Sequence, residues 1–334
     1  MVNKMIISKT PVRISFFGGG TDYPDYYKRF KGAVIGTTIN KYIYLSINKL
    51  NSFFDHKIKL SYSKSELVNE FDEIEHPSIR ECLKYINLPY GLDIHVFADL
   101  PARTGLGSSS SFTVGLLNVL YELQKKQINK KELAIQALHI EQQLIQERVG
   151  SQDQIHAAFG GLNLIEFDSN NFSVTPIKLT QENLSVFEES LLLFYTGINR
   201  YADQILEEQI HNTKQGSKDQ FLDEMFQMVY KAKEILLTSK SNKLVSKLGD
   251  LLHQSWELKK QLSSKISNTL IDNYYQKALK AGAHGGKLCG AGHGGFLLIM
   301  AEKNQHQNIR NALKDLLEVE FKFEKDGTQI IYQH

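Results

Sequence analysis

The sequence predicts an α+β protein of two domains with a cleft between them. Its 334 residues exceed the usual size of one compact domain, and a hydrophobic content of 42% is enough to bury a substantial core. Short runs of alternating character fill the N-terminal part, the spacing after Ser108 turns helical, and strands and helices never alternate in regular βαβ units.

Along the chain, "MIISKTPVRISFF", "AVIGTTINKYIYLSINKL", "HKIKLSYS" and "LDIHVFADL" read as strands, being rich in β-branched and aromatic residues and separated by turn formers. Phe112, Leu116, Leu117 and Leu120 then recur at helical spacing, and "KKELAIQALHIEQQLIQER" fits a second helix. "SQDQIHAAFGGLNLIEF" reads as a short helix, a Gly-Gly break and a strand, and "SLLLFYTG" as a buried strand. Amphipathic helix dominates from 200 to about 280. A glycine-rich loop entering a strand, a helix over 304–316 and two edge strands complete the chain. The domain boundary is placed near 185, giving segments 1–185 and 186–334.

Composition excludes several classes. The 39 basic and 37 acidic side chains leave a formal charge of +2, so nothing suggests electrostatic wrapping of nucleic acid, and "KKQINKK" at 125–131 reads as a solvated turn. Cys82 and Cys289 stand far apart without zinc-ligand spacing, which argues against a disulfide framework. The N-terminus lacks the pattern of a signal peptide and no run reaches membrane-span length, so no membrane partner and a cytoplasmic location are expected.

Three segments concentrate glycine beside groups able to do chemistry. In "PVRISFFGGGTDYPDYY", residues 11–27, a strand ends in three glycines followed by Thr21 and Asp22, so backbone can close over a small ligand within reach of a carboxylate. A glycine-rich hairpin turn accounts for the same residues. In "PARTGLGSSSS", residues 101–111, two glycines and four serines precede an apolar helix, whose unpaired N–H groups and partial positive charge suit a phosphate; an over-provided N-cap is the plainer alternative. "GGKLCGAGHGG", residues 285–295, enters a buried strand and is either a nucleotide loop or a tight turn. Neither GxxxxGK[ST] nor a GxGxxG at a strand–helix junction is present.

Together these segments resemble the GHMP kinases. The superfamily's P-x-[RK] segment appears as Pro11-Val12-Arg13, its P-x-x-x-G-L-G-S-S loop as Pro101 to Ser109, and its G-A-G-x-G-G as Gly290 to Gly295. "GGGTDY" at 18–23 is similar to the sugar-kinase branch, and within it "ERVGSQDQ", "FYTGINR" and "SWELKKQLSSKISN" resemble the heptose 7-phosphate kinases over nearly the whole chain. The resemblance implies an N-terminal mixed or antiparallel sheet with helices, a C-terminal ferredoxin-like domain and an active site between them. It also implies transfer of a phosphoryl group from ATP, with Mg2+, to the anomeric hydroxyl of D-glycero-D-manno-heptose 7-phosphate, feeding GDP-heptose and surface polysaccharide synthesis. A kinase of fucose or galactose and a non-catalytic sugar and ATP sensor on the same fold are the alternatives.

Carried over residue by residue, the resemblance implies that Asp153 is the base and Arg13 its charge-stabilising neighbour. Gly105, Leu106, Gly107, Ser108, Ser109 and Ser110 would hold the ATP phosphates, and Ser109 and Glu141 the metal, with Glu147 competing for the latter role. Gly19, Gly20, Thr21 and Asp22 would meet the sugar, and Arg103, Thr196 and Arg200 lie where contacts to the substrate, including its phosphate, are expected. Gly290, Ala291, Gly292 and Gly294 form the third motif loop, Lys287 beside it is a candidate for ATP, and His284 and His293 read as turn-lining residues. The protein would be a monomer or homodimer.

Overall fold

The longest strands sit first in the chain, where β-branched residues are densest. A computed structural model describes all residues except 1–4, 90, 103, 170, 198–212, 214–215, 293 and 334. Strand β1 (Ile6–Phe17) pairs antiparallel with the 19-residue β2 (Gly32–Leu50). Around them a nine-stranded sheet is completed by β3 (Ile58–Ser61), β4 (Ser65–Val68), β5 (Gly91–Ala98), β6 (Asn163–Phe167), β7 (Phe172–Pro176), β12 (Phe323–Glu324) and β13 (Gln329–Gln333). It is mixed, because β3 runs parallel to β5 while the other pairs are antiparallel. The second sheet is antiparallel, with β11 (Leu317–Glu318), β8 (Leu191–Tyr195), β10 (Phe296–Met300) and β9 (Gly285–Leu288) in that spatial order.

Period-two alternation makes the second sheet a wall between two cores. Leu191 and Leu193 of β8, with Phe296, Leu298 and Met300 of β10, face the large core shared with the first sheet. Leu192, Phe194, Leu297 and Ile299 face a smaller core containing Trp256, Ile271 and Tyr275. Those three belong to the helices α8 (Ser241–Lys260) and α9 (Thr269–Lys280), which follow α7 (Asp219–Thr238). The expected 304–316 helix is confined to α10 (His306–Ala312), and β11 follows it.

Helices of the N-terminal half are α1 (Pro24–Tyr27), α2 (Pro77–Ile86), α3 (Ser108–Leu123), α4 (Lys130–His139), α5 (Gln152–Phe159) and α6 (Gln181–Glu189). The apolar face expected after Ser108 is the buried face of α3, and Gly115 in its middle allows close approach to β1: a Cβ there would lie 2.5 Å from the Thr10 hydroxyl. The second helix is shorter than its sequence pattern: α4 passes into a π-helical turn over Ile140–Leu144 and stops before 148. Residue 185 falls inside α6, and the last two strands return to the first sheet, so 186–334 is not a self-contained segment.

Contact between glycine segments joins the two sheets. Gly105 and Gly290 both have positive φ (86° and 77°), and a Cβ on Gly290 would lie 2.4 Å from the Gly105 Cα. Gly197 has a similar φ of 72°, with none of the described residues near where its Cβ would stand. Gly290→Ala should therefore destabilise the protein by about 2 kcal/mol more than Gly197→Ala, which carries only the left-handed backbone cost. Urea unfolding of the two variants measures the difference, and equal losses would mean the loop pair yields to the methyl group.

Candidate active site

Arg13 is the hub of the site. Its guanidinium donates from Nε to Asp153 Oδ1 (2.8 Å), from one terminal nitrogen to Asp153 Oδ2 (2.9 Å) and from the other to the Gly105 carbonyl (2.7 Å). Its own N–H donates to Leu106 O at 2.9 Å, so backbone and side chain of one β1 residue both fasten the 101–111 loop. Asp153 lies in the first turn of α5, where the helix dipole favours a carboxylate. Gly107, the N-cap of α3, has φ 77°, and a Cβ there would approach Asp153 Oδ2 to 3.1 Å and Arg13 Cγ to 3.3 Å. A bare backbone at 107 is what lets the N-terminus of α3 stand over the ion pair. The N–H groups of Ser108, Ser109 and Ser110 occupy the first turn of that helix, where no intrahelical acceptor exists.

Behind the pair lies a second carboxylate. Asp22 is buried; its Oδ1 accepts from Gly20 N (2.9 Å) and its Oδ2 from Gln152 Nε2 (2.9 Å). Burial is the main cause raising its pKa above the usual carboxylate range, and the nearby Asp153 charge adds to the shift. Both oxygens of Asp22 are thus engaged by protein, closing the 18–22 turn against the start of α5. Thr21 is fully buried, with its hydroxyl donating to Gly18 O and Ala33 O. That hydroxyl staples the turn to β2. The Thr196 hydroxyl donates to Gly295 O at 2.9 Å. Arg103, Arg200 and His293 lie outside the described residues.

Sequence reasoning missed Ser15 and Gln152. Ser15 Oγ and Gln152 Oε1 are buried and without a partner among the described residues, and a Cβ on Gly19 would lie 3.6 Å from that hydroxyl and 3.8 Å from Gln152 Nε2. Ser15 stands two residues after Arg13 and therefore on the same side of β1, a signal that was present in the sequence.

Glu141 occupies the π-helical turn and is fully buried, with Oε2 accepting from Ser110 Oγ (2.8 Å) and Gln154 Nε2 (2.5 Å). Its Oε1 has no hydrogen-bond partner among the described residues, and burial, opposed by the hydroxyl of Thr113, pushes its pKa up to about 7. The serine on Glu141 is Ser110, whereas Ser109, expected there, is exposed. Lys287, expected near ATP, is buried with Nζ on the carbonyls of Ser15 and Phe16. The third loop backs directly onto the second: Cβ atoms on Gly105 and Gly295 would meet Cys289 O at 2.4 Å and Thr104 O at 2.3 Å. Gly292 is packed against Ile266 in the same loop. Three glycine segments far apart in sequence thus converge on one carboxylate–guanidinium pair beneath a helix N-terminus.

Comparison with known proteins agrees with this convergence. Residues 77–161 match the family described as GHMP kinases N terminal domain, and residues 236–319 match GHMP kinases C terminal. The chain belongs to the GHMP kinases. It is 29% identical to a D-glycero-alpha-D-manno-heptose 7-phosphate kinase from Campylobacter jejuni, over 98% of each chain. It is 26% identical to a galactokinase from Pyrococcus furiosus, over 92% of each. A crystal structure titled D-glycero-D-manno-heptose 1-phosphate kinase, from Bacteroides thetaiotaomicron, superposes with a TM-score of 0.76 at 26% identity, covering 98% of this chain and 99% of that one. The protein is accordingly an ATP-dependent phosphotransferase with the α+β GHMP kinase fold, of the sugar-kinase kind. Among the described residues no helix is long and apolar enough to cross a membrane.

In this GHMP kinase the Gly107 backbone fixes the relation between helix and ion pair. Gly107→Ala should lower kcat/KM about a hundredfold, a loss set by misplacement of Arg13 and Asp153. Steady-state kinetics checks it, and near-normal turnover would show that the pair tolerates a methyl group above it.

Proposed function

We propose that this kinase phosphorylates the anomeric hydroxyl of D-glycero-D-manno-heptose 7-phosphate to the 1,7-bisphosphate. The observation that carries the reaction type is the Arg13–Asp153 pair set under the N-terminus of α3. The substrate follows from end-to-end similarity to the Campylobacter relative, whose name states that sugar.

The chemistry asks for position and charge more than for covalent help. The first-turn N–H groups of Ser108, Ser109 and Ser110, with the glycine backbone of Gly105 and Gly107, bind the phosphates of ATP. The sugar hydroxyl rests on Asp153, donating a hydrogen bond to it. Its oxygen attacks the terminal phosphorus, the bond from that phosphorus to the bridging oxygen breaks, ADP departs with the electron pair, and the hydroxyl proton passes to Asp153. Arg13 holds both carboxylate oxygens, so Asp153 cannot rotate away, and its positive charge stabilises the negative charge growing on the attacking oxygen. Gly19, Gly20 and Asp22, with Ser15 and Gln152, line the sugar side.

The residues present fit a magnesium ion. Glu141 offers a buried oxygen without a partner, and Mg2+ needs only one or two carboxylates when substrate phosphates and water complete its shell. Glu141 and a serine hydroxyl, of Ser109 or Ser110, would hold it. When bound, the ion neutralises charge on the ATP phosphates.

Relatives' names disagree on whether the sugar carries its phosphate at position 7 or position 1. The deciding assay is ADP release, with and without magnesium, on heptose 7-phosphate, heptose 1-phosphate, galactose and fucose. Magnesium-dependent turnover confined to the 7-phosphate is expected; turnover only on an unphosphorylated sugar, or only on the 1-phosphate, would overturn the substrate assignment. Asp153→Asn should retain ATP binding and lose about 10²–10⁴-fold in kcat, the range of a general base. A variant with near-normal kcat would remove Asp153 from proton transfer.

A further inference from the structure

Two lysines are buried where the first and third glycine segments meet. Lys259, in the last turn of α8, is 5% exposed, and Lys287, in β9, is 4% exposed. Lys287 Nζ donates to Ser15 O (2.9 Å) and Phe16 O (3.1 Å), just ahead of Gly18–Gly20. Lys259 Nζ donates to Gly290 O, leaving two of its three N–H donors for another acceptor. Among the described residues neither amine forms an ion pair with a carboxylate. Their charged surroundings are mixed: Arg13 opposes both and Lys287 opposes Lys259, while Cys289 and, more weakly, Asp22 favour the charged amines. Burial, the first cause for both, brings Lys259 down to about 7 and Lys287 to about 8.

Buried charge without a counter-ion is among the costliest arrangements in a protein. Three carbonyls could be tied together by neutral amides at far lower cost, so a purely structural role leaves the two buried amines unexplained. An incoming anion explains them. The nucleotide's phosphates already have a seat at the start of α3, on the Gly107 side of the ion pair. Lys287 instead holds the carbonyl of Ser15, whose unpartnered hydroxyl faces Gly19 on the sugar side.

We propose that Lys259 and Lys287 form the pocket for the phosphate that the sugar substrate itself carries, with Lys259 making the direct contact. The proposal rests on the reading of the substrate as a sugar phosphate. The phosphate dianion supplies the missing counter-charge and keeps both amines protonated. The same cationic pocket discriminates against phosphate-free sugars, which leave the two charges buried and unpaired.

The test compares kcat/KM for heptose 7-phosphate with that for the dephosphorylated heptose, using the full-length protein. Lys259→Ala would strip the Gly290 carbonyl of its donor and invite misfolding, so Lys259→Gln, which keeps a donor and removes the charge, is the informative variant. Its preference for the phosphorylated sugar should fall about tenfold or more, the scale of one charge-assisted hydrogen bond, while Lys259→Arg keeps most of it. Lys260→Gln, which removes the partly buried neighbour paired with Glu257, should leave the preference unchanged. If Lys259→Gln loses both sugars in parallel, keeps the wild-type preference, or raises KM for ATP instead, the pocket is overturned although the substrate reading stands. Wild-type turnover on phosphate-free sugars alone would overturn both.

Discussion

Arg13 makes bonds that no other residue could replace together. One guanidinium fixes the carboxylate of Asp153 from α5 and the carbonyl of Gly105 from the phosphate-type loop, while the same residue's backbone belongs to β1 and donates to Leu106. The side chain is 7% exposed and that of Asp153 23%, so the pair is desolvated on the arginine side and open on the carboxylate side. That asymmetry suits its work: the cation acts as a fixed part of the scaffold, and the anion remains available to a ligand. Lysine would lack the planar fork that holds both carboxylate oxygens and a carbonyl at once.

The rest of the site follows from that constraint. Because Arg13 draws the 101–111 loop onto β1, the loop must pass over the pair at Gly107, where a left-handed backbone and tight contact with Asp153 and Arg13 favour glycine. Because the loop is held on that side, its other face meets Cys289 and Gly290, where again only backbone can approach. The second sheet carries these residues, so the position of the whole C-terminal sheet is registered to the ion pair through contacts between glycines. A side chain at either contact would separate the layers and open the site.

Much of this was legible in the sequence and some was not, for physical reasons. The apolar spacing of Phe112, Leu116, Leu117 and Leu120 reports local helix geometry, and the glycine segments report close backbone approach, so α3 and the three loops were readable. The π-helical turn was not, because the pattern of "ALHIEQQLIQER" runs on smoothly, and the wider turn comes with Glu141's bonds to Ser110 and Gln154. Return of β12 and β13 to the first sheet is a long-range pairing that no local pattern encodes. Thr21 and Thr196 were readable as hydroxyls near the site, but whether a hydroxyl is spent on backbone depends on the chain that packs over it. Helix α2 was overlooked although Ile79, Leu83 and Ile86 recur at helical spacing and are buried.

Four ionisable groups buried around the pair share one thermodynamic feature. Asp22 and Glu141 are raised, Lys259 and Lys287 lowered, and in every case burial is the first cause. Each group is therefore held toward its neutral form, in a state that water would relieve and the fold does not allow. Such desolvation costs stability, and it also strengthens every charge–charge interaction a ligand later makes. A cation at Glu141 and an anion at Lys259 would each restore ionisation as they bind, so the free protein carries its binding selectivity as unpaired polarity. The carboxylate of Glu141 lies behind the serines of α3, and the lysines lie behind the glycine turn after β1, near Asp22, whose two oxygens are already engaged by Gly20 and Gln152. A substrate set that brings a divalent cation with the nucleotide and an anion at the far end of the sugar matches these two places; a neutral sugar matches only one of them.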